Sequence, residues 1–188
     1  MRSATVCAFF LAMGIIVLVA CREKPAQAPG QKPGSGYSSA DAASTGTPVP
    51  TIVELSDMYV SPETYDLTLT VAEIIRGESA GDFLRKAGAF KELAGTDSEY
   101  VLARVGFEYK ARGAPGDKPW ELSGVQFSAF SEAGKPYASP SIVASKSGLK
   151  PILRSGETLE CWLAFEVAKN DRKPLMIYNP GGAWFCLY

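Results

Sequence analysis

Apolar and polar residues alternate strictly in Tyr65-Asp66-Leu67-Thr68-Leu69-Thr70-Val71. That period of two is the signature of a half-buried strand. The pattern recurs in Tyr100 to Tyr109, with Val101, Ala103, Val105, Phe107 and Tyr109 on one face. Trp120 to Phe130 is expected to hold another strand, with Val125, Phe127 and Ala129 in phase. Thr158 to Val167 puts Leu159, Cys161, Leu163, Phe165 and Val167 on one face and Thr158, Glu160 and Glu166 on the other. Ser141 to Ser145, Leu175 to Tyr178 and Trp184 to Tyr188 read as shorter strands. Turn residues separate them at Glu132-Ala133-Gly134-Lys135, Arg154-Ser155-Gly156-Glu157 and Lys169-Asn170-Asp171-Arg172.

One segment breaks the alternation. Ser79 to Gly88 fits a short helix, with Ser79 as N-cap and Gly88 just past its end. Ala80, Phe83, Leu84 and Ala87 would form its buried face. About seven short strands with one helix after the first long strand predict an all-β protein, an antiparallel β-sandwich.

The amino terminus follows a different rule. In residues 1–21, Arg2 is the only charge, and from Ala4 to Ala20 the chain is apolar apart from Thr5. A basic residue followed by an apolar run is a secretory signal. The run is near the lower limit for spanning a bilayer, so a plain uncleaved anchor or ordinary secretion is the alternative to a lipoprotein signal. Its end, Leu18-Val19-Ala20-Cys21, resembles the lipobox of bacterial lipoproteins. That resemblance implies lipid transfer to the Cys21 sulfur, cleavage after Ala20 and acylation of the new terminus. Several acyl chains on one residue make a stable membrane anchor. Arg22 follows; the Asp that retains some lipoproteins at an inner membrane is absent. Residues 22–50 contain 20 Pro, Gly, Ser, Ala or Thr among 29 and show no apolar periodicity. Such a segment reads as a tether, roughly 30 Å in root-mean-square span. Tyr37, its lone aromatic, reads as a linker residue rather than a docking side chain. The expected organisation is a signal at 1–20, lipidated Cys21 and tether at 21–50, and a domain at 51–188.

Charge and composition narrow the chemistry. Hydrophobic residues make up 46% and charged residues 21%, the range of an ordinary globular chain. Residues 51–188 carry 15 of the 19 basic and 18 of the 20 acidic residues, a net charge of −3. No basic surplus points to a nucleic-acid partner. The chain has no histidine. This removes Ser-His and Cys-His nucleophile pairs, histidine bases and histidine-ligated metals.

Several pieces in order look like one family: Thr70 to Glu78, Glu99 to Tyr109, Glu132 to Lys135, Ser155 to Glu157, Trp162 to Val167, Asn170 to Pro174 and Gly181 to Phe185. Together they resemble the telokin-like, immunoglobulin-like domain of unknown function carried by many bacterial surface lipoproteins. The resemblance covers roughly residues 60–188. It implies an immunoglobulin-like sandwich outside the cytoplasm and supplies no catalytic residues.

Each candidate site has a plain structural alternative. Cys7 leaves with the signal and Cys21 takes lipid, so Cys161 and Cys186 remain as a possible disulfide or as two buried thiols. A bond would contribute roughly 3–4 kcal/mol in the chain-entropy model. If the chain folds back as a hairpin near Asn170, Pro180 lies opposite Cys161, and Gly181-Gly182 must bulge to bring Cys186 across. Two sulfurs without histidine or a CxxC pair make no zinc site. Asp57, Glu63 and Asp66 cluster in sequence, but without the glycine loop of a calcium site. Glu160 and Glu166 share a face at roughly 20 Å, too far apart for a glycosidase pair. Ser123-Gly124 and Ser155-Gly156 read as turns, and no buried lysine that could assist a serine is recognisable in the sequence. Trp120, Trp162, Trp184, Tyr178 and Tyr188 could form an exposed binding platform or pack into layers; a helix over Trp162 would favour the latter.

These observations predict a lipid-anchored extracytoplasmic protein displaying a non-catalytic binding domain. Its expected partners are the membrane, through Cys21, and a protein or other envelope component, with no cofactor. An envelope enzyme or its accessory subunit is the alternative.

Overall fold

The computed structural model describes residues 34–56, 62–89, 94–113, 115–143 and 151–188. The signal, Cys21, Asp57, Ala144 and Ser145 lie outside the described residues. The elements in order are β1 (Pro48–Leu55), β2 (Glu63–Arg76), α1 (Glu78–Lys86), β3 (Ser98–Ala111), β4 (Trp120–Glu121), β5 (Phe127–Phe130), β6 (Ser141–Val143), β7 (Ile152–Leu153), β8 (Thr158–Ala168), β9 (Leu175–Tyr178) and β10 (Ala183–Cys186). One sheet has the order β1-β2-β3-β8-β6 and the other β10-β9-β5, while β4 and β7 form a small ribbon. All strand pairs are antiparallel. The fold is the all-β antiparallel sandwich that the alternation predicts, with one helix after the first long strand.

The alternating residues become the core because a pleated strand sends successive side chains to opposite faces. Tyr65, Leu67, Leu69 and Val71 of β2 are fully buried, as are Val101, Ala103 and Val105 of β3 and Leu163 and Phe165 of β8. They meet Phe127, Met176, Tyr178 and Phe185 from the smaller sheet in one cluster. A bulge between Val71 and Glu73 shifts the phase of β2. Beyond it Ile74 joins this core, whereas Ile75 faces outward.

That outward turn lets α1 pack on the outside of the larger sheet. Ala80 and Leu84 are buried there against Leu102, Val143 and Ala164, with Phe83 tilted on Trp162 at 4.9 Å. Two details differ from expectation. The helix N-cap is Gly77, not Ser79, because the chain leaves β2 through a positive φ of 67° that a side chain rarely adopts. Ala87 is exposed because the last turn has already ended at Lys86.

Three larger differences reshape the connections. The expected strand at 120–130 is broken by a 3₁₀ turn at Gly124–Gln126, which leaves Val125 77% exposed. Ser123 and Gln126 hold this turn with reciprocal side-chain bonds. Second, β8 does not form a hairpin with β9. At Lys169–Arg172 the chain crosses to the other sheet, where β9 pairs with β5 and β10. Third, the folded body includes residues 34–47 and does not start at residue 51. Ala43 is fully buried, and its backbone bridges β10: Ala43 N–H donates to Trp184 O (2.9 Å) and Cys186 N–H to Ala43 O (2.9 Å). Trp184 N–H also donates to Gly36 O at 2.7 Å. Residues 34–47 therefore form a strap along the edge of β10, although their composition reads as linker.

The strap and the closing turn meet β1. A Cβ built on Gly181 would lie 1.7 Å from Thr51 Oγ1 and 2.6 Å from Thr51 Cβ. Both the oxygen and the branch point of a buried residue stand in the way, so no rotamer change relieves the clash. Gly181→Ala is expected to destabilise the domain by about 1–3 kcal/mol through overpacking. An unchanged urea midpoint would show that the turn can lift away from β1.

Candidate functional site

A groove of about 480 Å³ lies where β1, the strap and the 179–181 turn meet, lined by Tyr37, Pro50, Thr51, Ile52, Asp66, Arg112, Pro180 and Gly181. Its lining comes from five stretches of the chain: the strap, β1, β2, the residue after β3 and the 179–181 turn. β1 is an edge strand, so prolines are tolerated in it. Pro50 turns its carbonyl to the Tyr37 hydroxyl, which donates at 3.1 Å. Ile52 faces outward beside Asp66 in the β1–β2 register. Asp66 accepts from Arg112, with Nε at 2.7 Å and Nη2 at 2.6 Å on the same oxygen. Arg112 is placed by its own backbone N–H, which donates to Thr64 O. Tyr37 is 58% exposed and Ile52 46%.

Tyr37 was expected to be a linker residue. Its neighbours Gly36 and Ser38, the latter capping the short turn Ser39–Asp41, hold it on the folded body instead. Arg112 and Ile52 carry no motif, and only the register brings them together.

The proposed aromatic platform is not one surface. Trp120 and Tyr178 are buried in the central core, with ring centroids 6.4 Å apart. The reason for Trp120 is the β4–β7 ribbon, which turns its ring against Phe107 at 5.5 Å. Burial pushes the Tyr178 phenol up to about 12. Trp162 lies beneath Phe83 of α1, the layer packing weighed for it. Only Trp184 and Tyr188 fall on an open face, the outside of the smaller sheet. There Trp184 tilts on Phe130 at 5.8 Å, and Tyr188 is 54% exposed.

The cysteine pair is likewise corrected: both are free thiols. Cys161 faces the core from β8, opposite Val105, whereas Cys186 is on the outward side of β10, with Sγ 3.7 Å from Ala42 O. The chain crossing at 169–172 puts them in different sheets and the alternation points them apart. Burial pushes the Cys161 thiol up to about 12. Thiol titration of a denatured, unreduced chain beginning at Arg22 should therefore count two thiols. In the folded chain Cys161 should react far more slowly than Cys186, since only thiolate attacks and little forms. A count near zero would reinstate the bond.

The remaining candidates are engaged in structure. Glu63 and Asp66 point to opposite faces of β2. Glu160 is paired with Arg104 (3.3 Å), and Glu166 accepts from the Ser98 hydroxyl and the Gly95 N–H. A nearly buried lysine does exist: Lys118 Nζ lies 3.7 Å from Glu63 and donates to Leu55 O at 3.4 Å. Glu63 also accepts from Tyr65 at 2.6 Å, and the Tyr65 and Tyr109 rings stack at 4.7 Å. This network pins the end of the sandwich. Its only sequence signal is the adjacency of Lys118 to Pro119-Trp120. Among the described residues no three His, Cys, Asp or Glu side chains converge on a metal position. No described helix is long and apolar enough to cross a membrane.

No protein-family model matches the chain, and no curated protein matches it. Two solved structures are similar at low level. One is the candidate lipoprotein ycdA of Bacillus subtilis, with 11% identity and a TM-score of 0.42 over 64% of this chain. The chain spans only 35% of that protein's length. The other is a functionally unknown protein of Listeria monocytogenes, with 12% identity and a TM-score of 0.33, covering 72% of this chain and 77% of the other.

Proposed function

We propose that this chain is an extracytoplasmic lipoprotein, anchored by acylated Cys21, whose telokin-like, immunoglobulin-like sandwich is a non-catalytic interaction domain. The lipobox supports the anchor. The observation that carries the interaction role is the groove at the β1 edge, where exposed Tyr37 and Ile52 stand beside the Arg112–Asp66 pair. Exposed apolar side chains gathered at a concave site are characteristic of binding surfaces. The groove's partner in this reading is an extended segment of another envelope protein, with an acidic or amide group addressed to Arg112.

Two experiments test the two parts separately. Cys21→Ser should abolish palmitate labelling and leave unprocessed precursor; continued labelling refutes the anchor. A photo-crosslinking residue at position 52 should give one discrete adduct in intact cells, lost in Arg112→Ala. Absence of an adduct, or the same adducts from position 108 on the polar sheet face, refutes the groove.

A further inference from the structure

We infer that the outer face of the smaller sheet is a second membrane contact, resting in the headgroup interface of the bilayer that holds Cys21; this rests on the lipoprotein reading. The face presents Phe130 of β5, Leu175 and Ile177 of β9, and Trp184 of β10, with Tyr188 beyond its end. The register sets Ile177 beside Trp184, and the Phe130 and Trp184 rings meet diagonally across β9. No outward strand position here is charged, since the remaining two are Ser128 and Cys186. The larger sheet differs. Its outer face is covered by α1 at one end and carries Arg104, Glu108 and Glu160 at the other. An apolar, aromatic sheet face left half-buried calls for a cover.

The position of the tether selects that cover. The chain enters the domain along the edge of this same sheet, through Gly36 O and Ala43, bonded to Trp184 and Cys186. Twelve residues separate Cys21 from Gly34. Fully extended they reach about 45 Å, and as a flexible coil roughly 20 Å. A lipid on Cys21 thus keeps the Trp184 edge within about 45 Å of the bilayer. Trp and Tyr suit that interface because an apolar ring carries a polar N–H or O–H at its rim.

The test uses the intact lipidated chain in vesicles of phosphatidylethanolamine and phosphatidylglycerol, with or without bromine on the acyl chains. Trp120 is buried and Trp162 is covered by α1, so the difference between wild type and Trp184→Phe isolates the emission of Trp184. Brominated lipid should quench that component roughly twofold or more, as for an interfacial indole. Full emission from protein that floats with the vesicles would overturn the contact while leaving the anchor standing. If the chain fails to float, the anchor reading has failed. Residues 22–188 held by an amino-terminal His-tag on a nickel-chelating lipid then decide the contact by the same quenching. Protection from aqueous iodide that rises with protein density, without quenching by brominated lipid, would assign the face to a second copy and overturn the proposal.

Discussion

Phe165→Ala is expected to lower the stability of the domain by about 3–5 kcal/mol. Phe165 is fully buried on β8, in register with Val101 of β3, at the middle of the larger sheet. Its ring belongs to the cluster that joins both sheets. Truncation removes the transfer free energy of the ring and leaves a cavity between two fixed layers, which close only partially. Since small domains hold about 5–15 kcal/mol in all, the variant should unfold at much lower urea with an unchanged slope. A loss below about 1 kcal/mol would mean that the inward face of β8 is wrongly placed.

A chain beginning at Pro48 is expected to lose about 3–5 kcal/mol relative to one beginning at Gly34, with each bond contributing roughly 1 kcal/mol. β1 is intact in both, so the difference isolates the strap. What goes is buried Ala43, its two bonds to β10, the Trp184–Gly36 bond and the 2.7 Å bond from Gly46 N–H to Val71 O. The loss also opens β10 as an unpaired sheet edge. The check is the urea midpoint together with amide exchange at Trp184 and Cys186, which should become fast in the shorter chain. Equal midpoints would return residues 34–47 to the tether.

How far the fold could be read in advance differs between its parts. The inward rows of β2, β3 and β8 were legible because a strand's pleat converts a period of two directly into a buried face. The helix was legible through its apolar spacing and Gly88, which takes the expected positive φ of 64°. Gly77 as its N-cap was not, since the need for it arises from the path out of β2. The strap was misread because its fit comes from backbone bonds to β10, and composition does not encode a backbone partner. The groove was illegible for a similar reason: Tyr37, Ile52 and Arg112 each look ordinary, and only the pairing of β1 with β2 gathers them.

By itself the sequence determined which side chains of β2, β3 and β8 turn inward, where the chain can turn, that one helix interrupts the strands, and that the amino terminus resembles a lipoprotein signal. The tertiary structure alone decided which sheet each strand joins. Alternation marks a face but not a neighbour, so a turn at Lys169–Arg172 reads the same whether β9 folds back on β8 or crosses the sandwich. That single crossing separates Cys161 from Cys186, and it puts β10 beside the strap and Trp184 on an open face. These outcomes depend on contacts between residues more than a hundred positions apart, such as Ala43 with Phe185, whose energy appears only when the chain has closed on itself.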